Sequence, residues 1–584
     1  MTTDNDFHFT TMTVPESTFE GGISLLPFIA ALGASPVADE MMRARESAKK
    51  APDTVVIFDT ETTGLSASWD QILQLAALRL NRDLEIESPW ADIFNARCRI
   101  RPDVIPSPKA LLTTRVSPAM LDNAPLSHAE LMVEVEMFLH DSSPAIFVGH
   151  NIQRFDSPHL RHNLFSALLP PYPLQAPGCR MVDTLRLAHL IFALAPEVMV
   201  FPTGANGKVS FKLGDLCAAN GISLDEADAH DALADVRATL ELLKVLREAS
   251  PTIYTYALAI SDKSFVTELI GKHAVLGQIG VYGCTASVMP LTALADDPAN
   301  PNATIAIDLR KDPKGYLGLS EDDLLDLLDS RASPIKIIRR NASPLLIPLC
   351  LLDPMAPASA QKLHSLDTGG DPTEADAELQ CRAALVRADR AFRQRVLNVL
   401  TRRNAARETS PHVEEQLYSG GFARNSDFAL TRRFLALPPA ERAALIPSIR
   451  DERLKTHAAR IVHAEVPETL NTDTRDRMDI WLREKLTATE DVAWMTIQKA
   501  LDETESLRRD ITDSADRIAC QLFLDPRPTV WCNETGAWLE DAEAHEEVER
   551  SRAAFIEARV GIDLVLLDDY ESWLIAKLEA LQQL

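Results

Sequence analysis

At 584 residues and a formal net charge of −26, the chain is long enough for about three or four domains, each with an adequate core. Its eight cysteines, at 98, 179, 217, 284, 350, 381, 520 and 532, are scattered without a Cys-x-x-Cys, which argues against a disulfide scaffold or a zinc site and for reduced thiols in the cytoplasm. The one early apolar run, residues 23–32, is short, interrupted by Pro27 and lacks a preceding basic region. It is neither a signal peptide nor a membrane span, so a soluble protein with no membrane contact is expected.

Residues 1–50 read as a polar, poorly patterned extension, flexible or loosely docked. In Val55-Val56-Ile57-Phe58-Asp59-Thr60-Glu61-Thr62-Thr63-Gly64, an apolar run predicts a buried strand that Thr-Thr-Gly ends. Alternation places Asp59 and Glu61 on one face. Two carboxylates so close repel unless a cation lies between them, and hard oxygen ligands suit Mg²⁺ or Mn²⁺. Taken alone, such a pair at a strand end is commonly a solvated turn. A second apolar strand, Ala145-Ile146-Phe147-Val148-Gly149, leads through His150-Asn151 to Asp156 at a helix start, where a capping role is the plain alternative. Long loops without periodicity follow at 170–178 and 196–208, and such loops often border substrate sites.

Ala229-His230-Asp231-Ala232-Leu233-Ala234-Asp235 opens a segment of helical period. On one regular helix His230 and Asp235 would point about 140° apart. They can serve one site only if His230 precedes the helix, and otherwise His230 reads as a surface histidine. Pro251 starts a new unit whose strand-like runs fall at 277–288, 303–308, 334–338 and 344–349, with a helix near 321–328. Residues 367–376, with Gly369-Gly370 and Pro372, read as a linker, and helical periods dominate from there to Leu584. The expected domains are therefore 51–250, 252–365 and 371–584.

The ordered set Asp59-x-Glu61, Asn151-x-x-x-Phe155-Asp156 and His230-x-x-x-x-Asp235 resembles the DEDDh 3′–5′ exonuclease superfamily. Within it, the flanking text resembles the exodeoxyribonuclease I family: Arg154-Phe155-Asp156 with Arg161 and Asn163-Leu164-Phe165, Phe211-Lys212-Leu213, and the distant Val413-Glu414-Glu415-Gln416-Leu417-Tyr418-Ser419-Gly420-Gly421-Phe422. The chain departs from that family at Thr60, where an aromatic is usual, and at Thr114, where glycine is. The resemblance implies an α/β ribonuclease-H-like exonuclease domain, an SH3-like β-barrel and an α-helical C-terminal domain.

It further implies that Asp59, Glu61 and Asp235 bind one Mg²⁺, that Asp59 bridges to a second which Asp156 supports through water, and that His230 deprotonates the attacking water. Mn²⁺ may substitute. Glu61, Arg115 and Arg161 are implied as substrate contacts. The acidic total opposes nucleic-acid binding, yet distribution matters more than the sum. Arginines gather at 382–407, and Arg393, Arg402 and Arg403 are candidate strand-binding residues, against the alternative of a solvated, salt-bridged face. The expected function is 3′–5′ hydrolysis of single-stranded DNA in DNA repair and recombination. The alternatives are another superfamily exonuclease acting on RNA ends or in proofreading, and a silent nucleic-acid-binding scaffold. A single-stranded-DNA-binding protein is the implied partner through its acidic tail, with Tyr256 at an aromatic position of the tail pocket.

Overall fold

The computed structural model describes residues 35–204, 207–223, 231–355, 372–522, 529–532, 537–540 and 542–583. The first unit is built on a five-stranded sheet of order β3-β2-β1-β4-β5: β1 Thr54–Thr62, β2 Ile72–Leu80, β3 Ile93–Arg97, β4 Ala145–Gly149 and β5 Arg180–Asp183. β2 runs antiparallel to β1 and β3, whereas β4 is parallel to β1 and β5. The continuous apolar run of β1 is explained by cover on both faces. Val55 and Ile57 enter one core cluster and Val56 and Phe58 the other. The first cluster is completed by α5 (Thr184–Leu194) and α7 (Ala232–Ala249), the second by α3 (His128–Ser142) and α4 (Asp156–Ser166). α2 (Pro108–Thr114) precedes these in the chain, and α6 (Leu213–Ala219) lies between α5 and α7.

Residues 36–49 correct the expectation of a flexible extension over 1–50. They form helix α1 (Pro36–Lys49), capped by Ser35 and docked through Ala38, Met41 and Ala44 against α8 (Pro251–Ile260). Glu40 is 1% exposed and lies against Lys272 and His273 at the end of α9 (Lys263–Lys272), with Arg43 beside it. Burial opposes its charge, but hydrogen bonds from His273 and Lys272 and the charge of Arg43 draw the carboxyl down to about 2. Residues 1–34 lie outside the described residues.

The expected barrel appears as a five-stranded antiparallel sheet of order β10-β6-β7-β8-β9, with β6 Leu276–Tyr282, β7 Thr285–Asp297, β8 Asn300–Asp308, α10 Glu321–Asp329, β9 Ile335–Arg339 and β10 Leu346–Pro348. Residues 251–272, taken from sequence as the start of this unit, are instead the helices α8 and α9. They pack through Ile253, Tyr256 and Val266 into the first unit's core.

A short helix, α11 (Leu349–Met355), precedes the helical region, whose first members are α12 (Pro372–Ala388) and α13 (Arg390–Ala405). Leu379, Val386 and Phe392 of these helices share a core with Ile305, Ile307 and Leu324 of the barrel. Helices α14 (Glu452–Glu465), α15 (Thr472–Thr487), α16 (Ile497–Leu522) and α17 (Ala542–Gln583) return to the nuclease unit: Leu486, Tyr570 and Leu574 pack on Leu73, Ile105 and Leu111. A small hairpin, β11 Thr529–Cys532 and β12 Ala537–Glu540, interrupts the expected all-helical run. Among the described residues no helix is long and apolar enough to cross a membrane.

Candidate metal and active site

β1 pairs with β4 only as far as Ile57–Val148 and then runs on alone beside β2. Asp59 and Glu61 therefore project into the crevice where β4 turns away, the position at which open α/β sheets carry their sites. Strand parity assigns the faces. Asp59 and Glu61 share the face of Val55 and Ile57, which α7 covers, and Asp235 lies in the first turn of that helix. One carboxylate oxygen from each of Asp59, Glu61 and Asp235 falls within 4.8 Å of the others.

Thr60 points to the opposite face, where Asp156 opens α4. Its backbone N–H and hydroxyl donate to Asp156 Oδ1 at 3.1 and 2.7 Å. Asp156 thus stands beside the three-carboxylate cluster, outside the 4.8 Å group, but close enough to repel Asp59 and Glu61.

The electrostatics are those of a cation site. Burial, then repulsion from Asp235 and Asp156, pushes Glu61 up to about 8. Burial and the same kind of repulsion, from Asp156 first, raise Asp59. Burial raises Asp156 to about 7 against the hydrogen bonds from Thr60. Oxygen-only donors that cannot all ionise together fit a hard divalent cation. Asp59, Glu61 and Asp235 could hold it directly.

Three supports escaped the sequence reading. Asp183, the N-cap of α5, also accepts from the backbone N–H of Asn151 (2.9 Å) and Gln153 (3.2 Å), fixing the turn before Asp156. Asn151 in that turn has φ 66°, a left-handed conformation that asparagine tolerates. Asp231 caps α7 and receives Arg97 (2.7 Å) and Gln74 (3.0 Å) from the sheet, so the helix bearing Asp235 is tied to β2 and β3. Thr60 is the third. The capping role of Asp183 before a helical segment was readable, but its reach back to residues 151–153 was not.

His230 lies outside the described residues; α7 begins at Ala232, with Asp231 as its cap. The candidate arginines have partners of their own. Arg115 follows α2 with φ 59° and pairs with Asp563 of α17, and Arg161 lies 5.9 Å from the ring centre of Tyr172. Arg402 and Arg403 on α13 pair with Asp322 (2.8 Å) and Asp329 (2.9 Å) of α10, and Arg393 donates to the Arg387 carbonyl. Tyr256 is fully buried, its hydroxyl donating to the Leu346 carbonyl at 2.7 Å.

Comparison with known proteins agrees with this architecture. Residues 56–243 match the family model "Exonuclease", 279–369 the "Exonuclease I SH3-like domain" and 411–522 the "Exonuclease I C-terminal domain". Exodeoxyribonuclease I of Haemophilus influenzae is 27% identical over 71% of this chain and 84% of its own length. That of Escherichia coli is 26% identical over 78% of this chain and 96% of its own. A crystal structure of E. coli Exonuclease I in complex with a dT13 oligonucleotide superposes with a TM-score of 0.67 at 24% identity, covering 79% of this chain and 96% of that one. With all three domain types present in order, the chain belongs to the exonuclease I family.

Proposed function

We propose that this chain hydrolyses single-stranded DNA from its 3′ end to nucleoside 5′-monophosphates, with two Mg²⁺ ions that Mn²⁺ can replace. The observation that carries the reading is the convergence of Asp59, Glu61 and Asp235 within 4.8 Å, beside an Asp156 oriented by Thr60. The relatives' name and the oligonucleotide held by the E. coli structure support the substrate. When bound, the ions neutralise the phosphate charge and make a hydroxide available at neutral pH. Asp59, Glu61 and Asp235 would hold the first ion, Asp59 would reach the second, and Asp156 would support the second through water. His230, a residue type that titrates near neutrality, would accept the proton of the attacking water. Asp183, Asp231 and Arg97 keep these carboxylates in register.

Arg393, Arg402 and Arg403 remain proposed contacts to the incoming strand. Asp322 and Asp329 are largely exposed, so phosphates can compete for the guanidiniums with little loss. Arg115 and Arg161 are proposed nearer the 3′ end. The three-part division into nuclease, barrel and helical units, a cytoplasmic setting, and a role in repair and recombination belong to the same reading. So does binding of the acidic tail of a single-stranded-DNA-binding protein, supported by a solved ExoI/SSB-Ct complex. The test is metal-dependent release of mononucleotides from 5′-labelled single strands: a ladder shortening from the 3′ end is expected, and endonucleolytic fragments would refute it.

A further inference from the structure

We propose that Tyr282, at the tip of the β6–β7 hairpin, is a stacking platform for a base of the incoming strand, several nucleotides away from the carboxylate cluster; this rests on the single-strand reading above. The hairpin closes through Gly283, at φ 63°, and Cys284. At its tip Tyr282 is 68% exposed. A β-carbon added at Gly280 would lie 2.9 Å from Tyr282 Cε2 and 3.4 Å from its Cζ and Oη. The ring therefore lies along the strand over the glycine instead of standing free, and the exposure is that of a surface held in a fixed orientation.

The tip is fastened to the nuclease unit. Cys284 Sγ meets the Gly207 carbonyl at 2.9 Å, and the Gly283 position abuts the Lys208 side chain. Gly207 and Lys208 belong to the loop that ends at Phe211, whose carbonyl contacts His150 Nε2 at 2.8 Å. His150 directly precedes the Asn151 turn that leads to Asp156. The hairpin is thus connected, through this loop, to the turn ahead of Asp156. Beside the ring, Lys208 is exposed at the turn, and Arg310, which pairs with Asp308 at 2.7 Å, is near enough to interact with the Tyr282 hydroxyl. A fixed aromatic face flanked by cations is what sequence-tolerant binding of single strands uses.

An aromatic ring over a strand glycine also has a purely structural use, shielding the bare backbone. Substitutions separate the two, because leucine can cover Gly280 but cannot stack on a base. With chelator present, so that nothing is cut, binding of a long and a very short labelled oligothymidylate is measured for the wild type and for Tyr282→Phe, Tyr282→Leu and Tyr282→Ala. Thermal unfolding is followed in parallel. Tyr282→Ala and Tyr282→Leu are expected to weaken long-strand binding about five- to a hundredfold, the loss of one base–aromatic stack. Tyr282→Phe should match the wild type, and binding of the very short oligothymidylate should stay unchanged in all. Tyr282→Leu binding as tightly as the wild type would overturn the proposal in favour of glycine shielding, as would Tyr282→Ala binding unchanged. A wild type that binds no single strand would overturn the single-strand reading and this proposal together.

Discussion

Replacing Glu61 by Gln should stabilise the metal-free protein while abolishing its response to metal. Glu61 is 8% exposed and its carboxyl is raised from the usual 4.5 to about 8 by burial and then by Asp235 and Asp156. The folded protein therefore holds this proton more tightly than the unfolded chain, so metal-free stability falls as pH climbs from about 4.5 to about 8. At about 1.4 kcal/mol per pK unit, the shift bounds the penalty near 5 kcal/mol; with relaxation and water entry, about 1–3 kcal/mol is expected at pH 8. Gln removes the charge at nearly constant shape. In thermal unfolding with chelator at pH 8, the transition of the nuclease unit should rise by about 2–4 °C per kcal/mol gained, and at pH 5 it should barely move. Adding Mg²⁺ at pH 8 should raise the wild type and not the variant. If Glu61→Gln lowered the metal-free transition at pH 8, or left the Mg²⁺ response intact, the cation-site reasoning would be refuted.

Four further outcomes follow from the same structure. His230→Ala should keep metal-dependent stabilisation and single-strand binding while losing most turnover, measured as kcat against Kd. Asp183→Ala removes the acceptor for two backbone N–H groups ahead of Asp156 and should lower kcat more than tenfold with strand affinity kept, about the effect of misplacing a catalytic group by an ångström. Glu40→Ala should cost about 2 kcal/mol, the range for hydrogen bonds to a charged group, read from chemical denaturation; because its carboxyl is depressed to about 2, the contribution is complete above about pH 4.5 and lost as pH falls towards 2. Lys485→Ala leaves Asp103 and Glu414, both buried, without their shared ammonium; a loss of about 3–5 kcal/mol is expected, and a neutral result would show that the junction between nuclease and helical regions does not depend on this network.

What could be read from the chain was whatever local pattern controls. The apolar run ending at Asp59 set strand, parity and shared face at once, and α7 was legible from its period. Three barrel strands, β8, β9 and β10, fell close to the runs read for them, whereas the run 277–288 is the β6–β7 hairpin, with β7 continuing to Asp297. The docked helix α1 was not legible because its buried face consists of Ala38, Glu40, Met41, Ala44, Ser47 and Ala48, a mostly small and polar set. Glu40 becomes tolerable inside through Arg43 on its own helix and through Lys272 and His273, more than two hundred residues away. Helices α8 and α9 were missed for a related reason: the barrel resemblance drew the boundary to Pro251, whereas Tyr256 and Val266 pack into the nuclease core. The arginines of α13 show the limit of composition, since the acids of α10 that engage them lie about eighty residues earlier.

The most direct test is degradation of end-labelled single-stranded DNA, duplex DNA and RNA by the purified full chain, with Mg²⁺ or chelator, beside Asp59→Ala. Mg²⁺-dependent shortening of the DNA single strand from its 3′ end, absent with chelator and in Asp59→Ala, is the predicted result. Undiminished hydrolysis in chelator or in Asp59→Ala, or a preference for RNA or duplex over the DNA single strand, would contradict it.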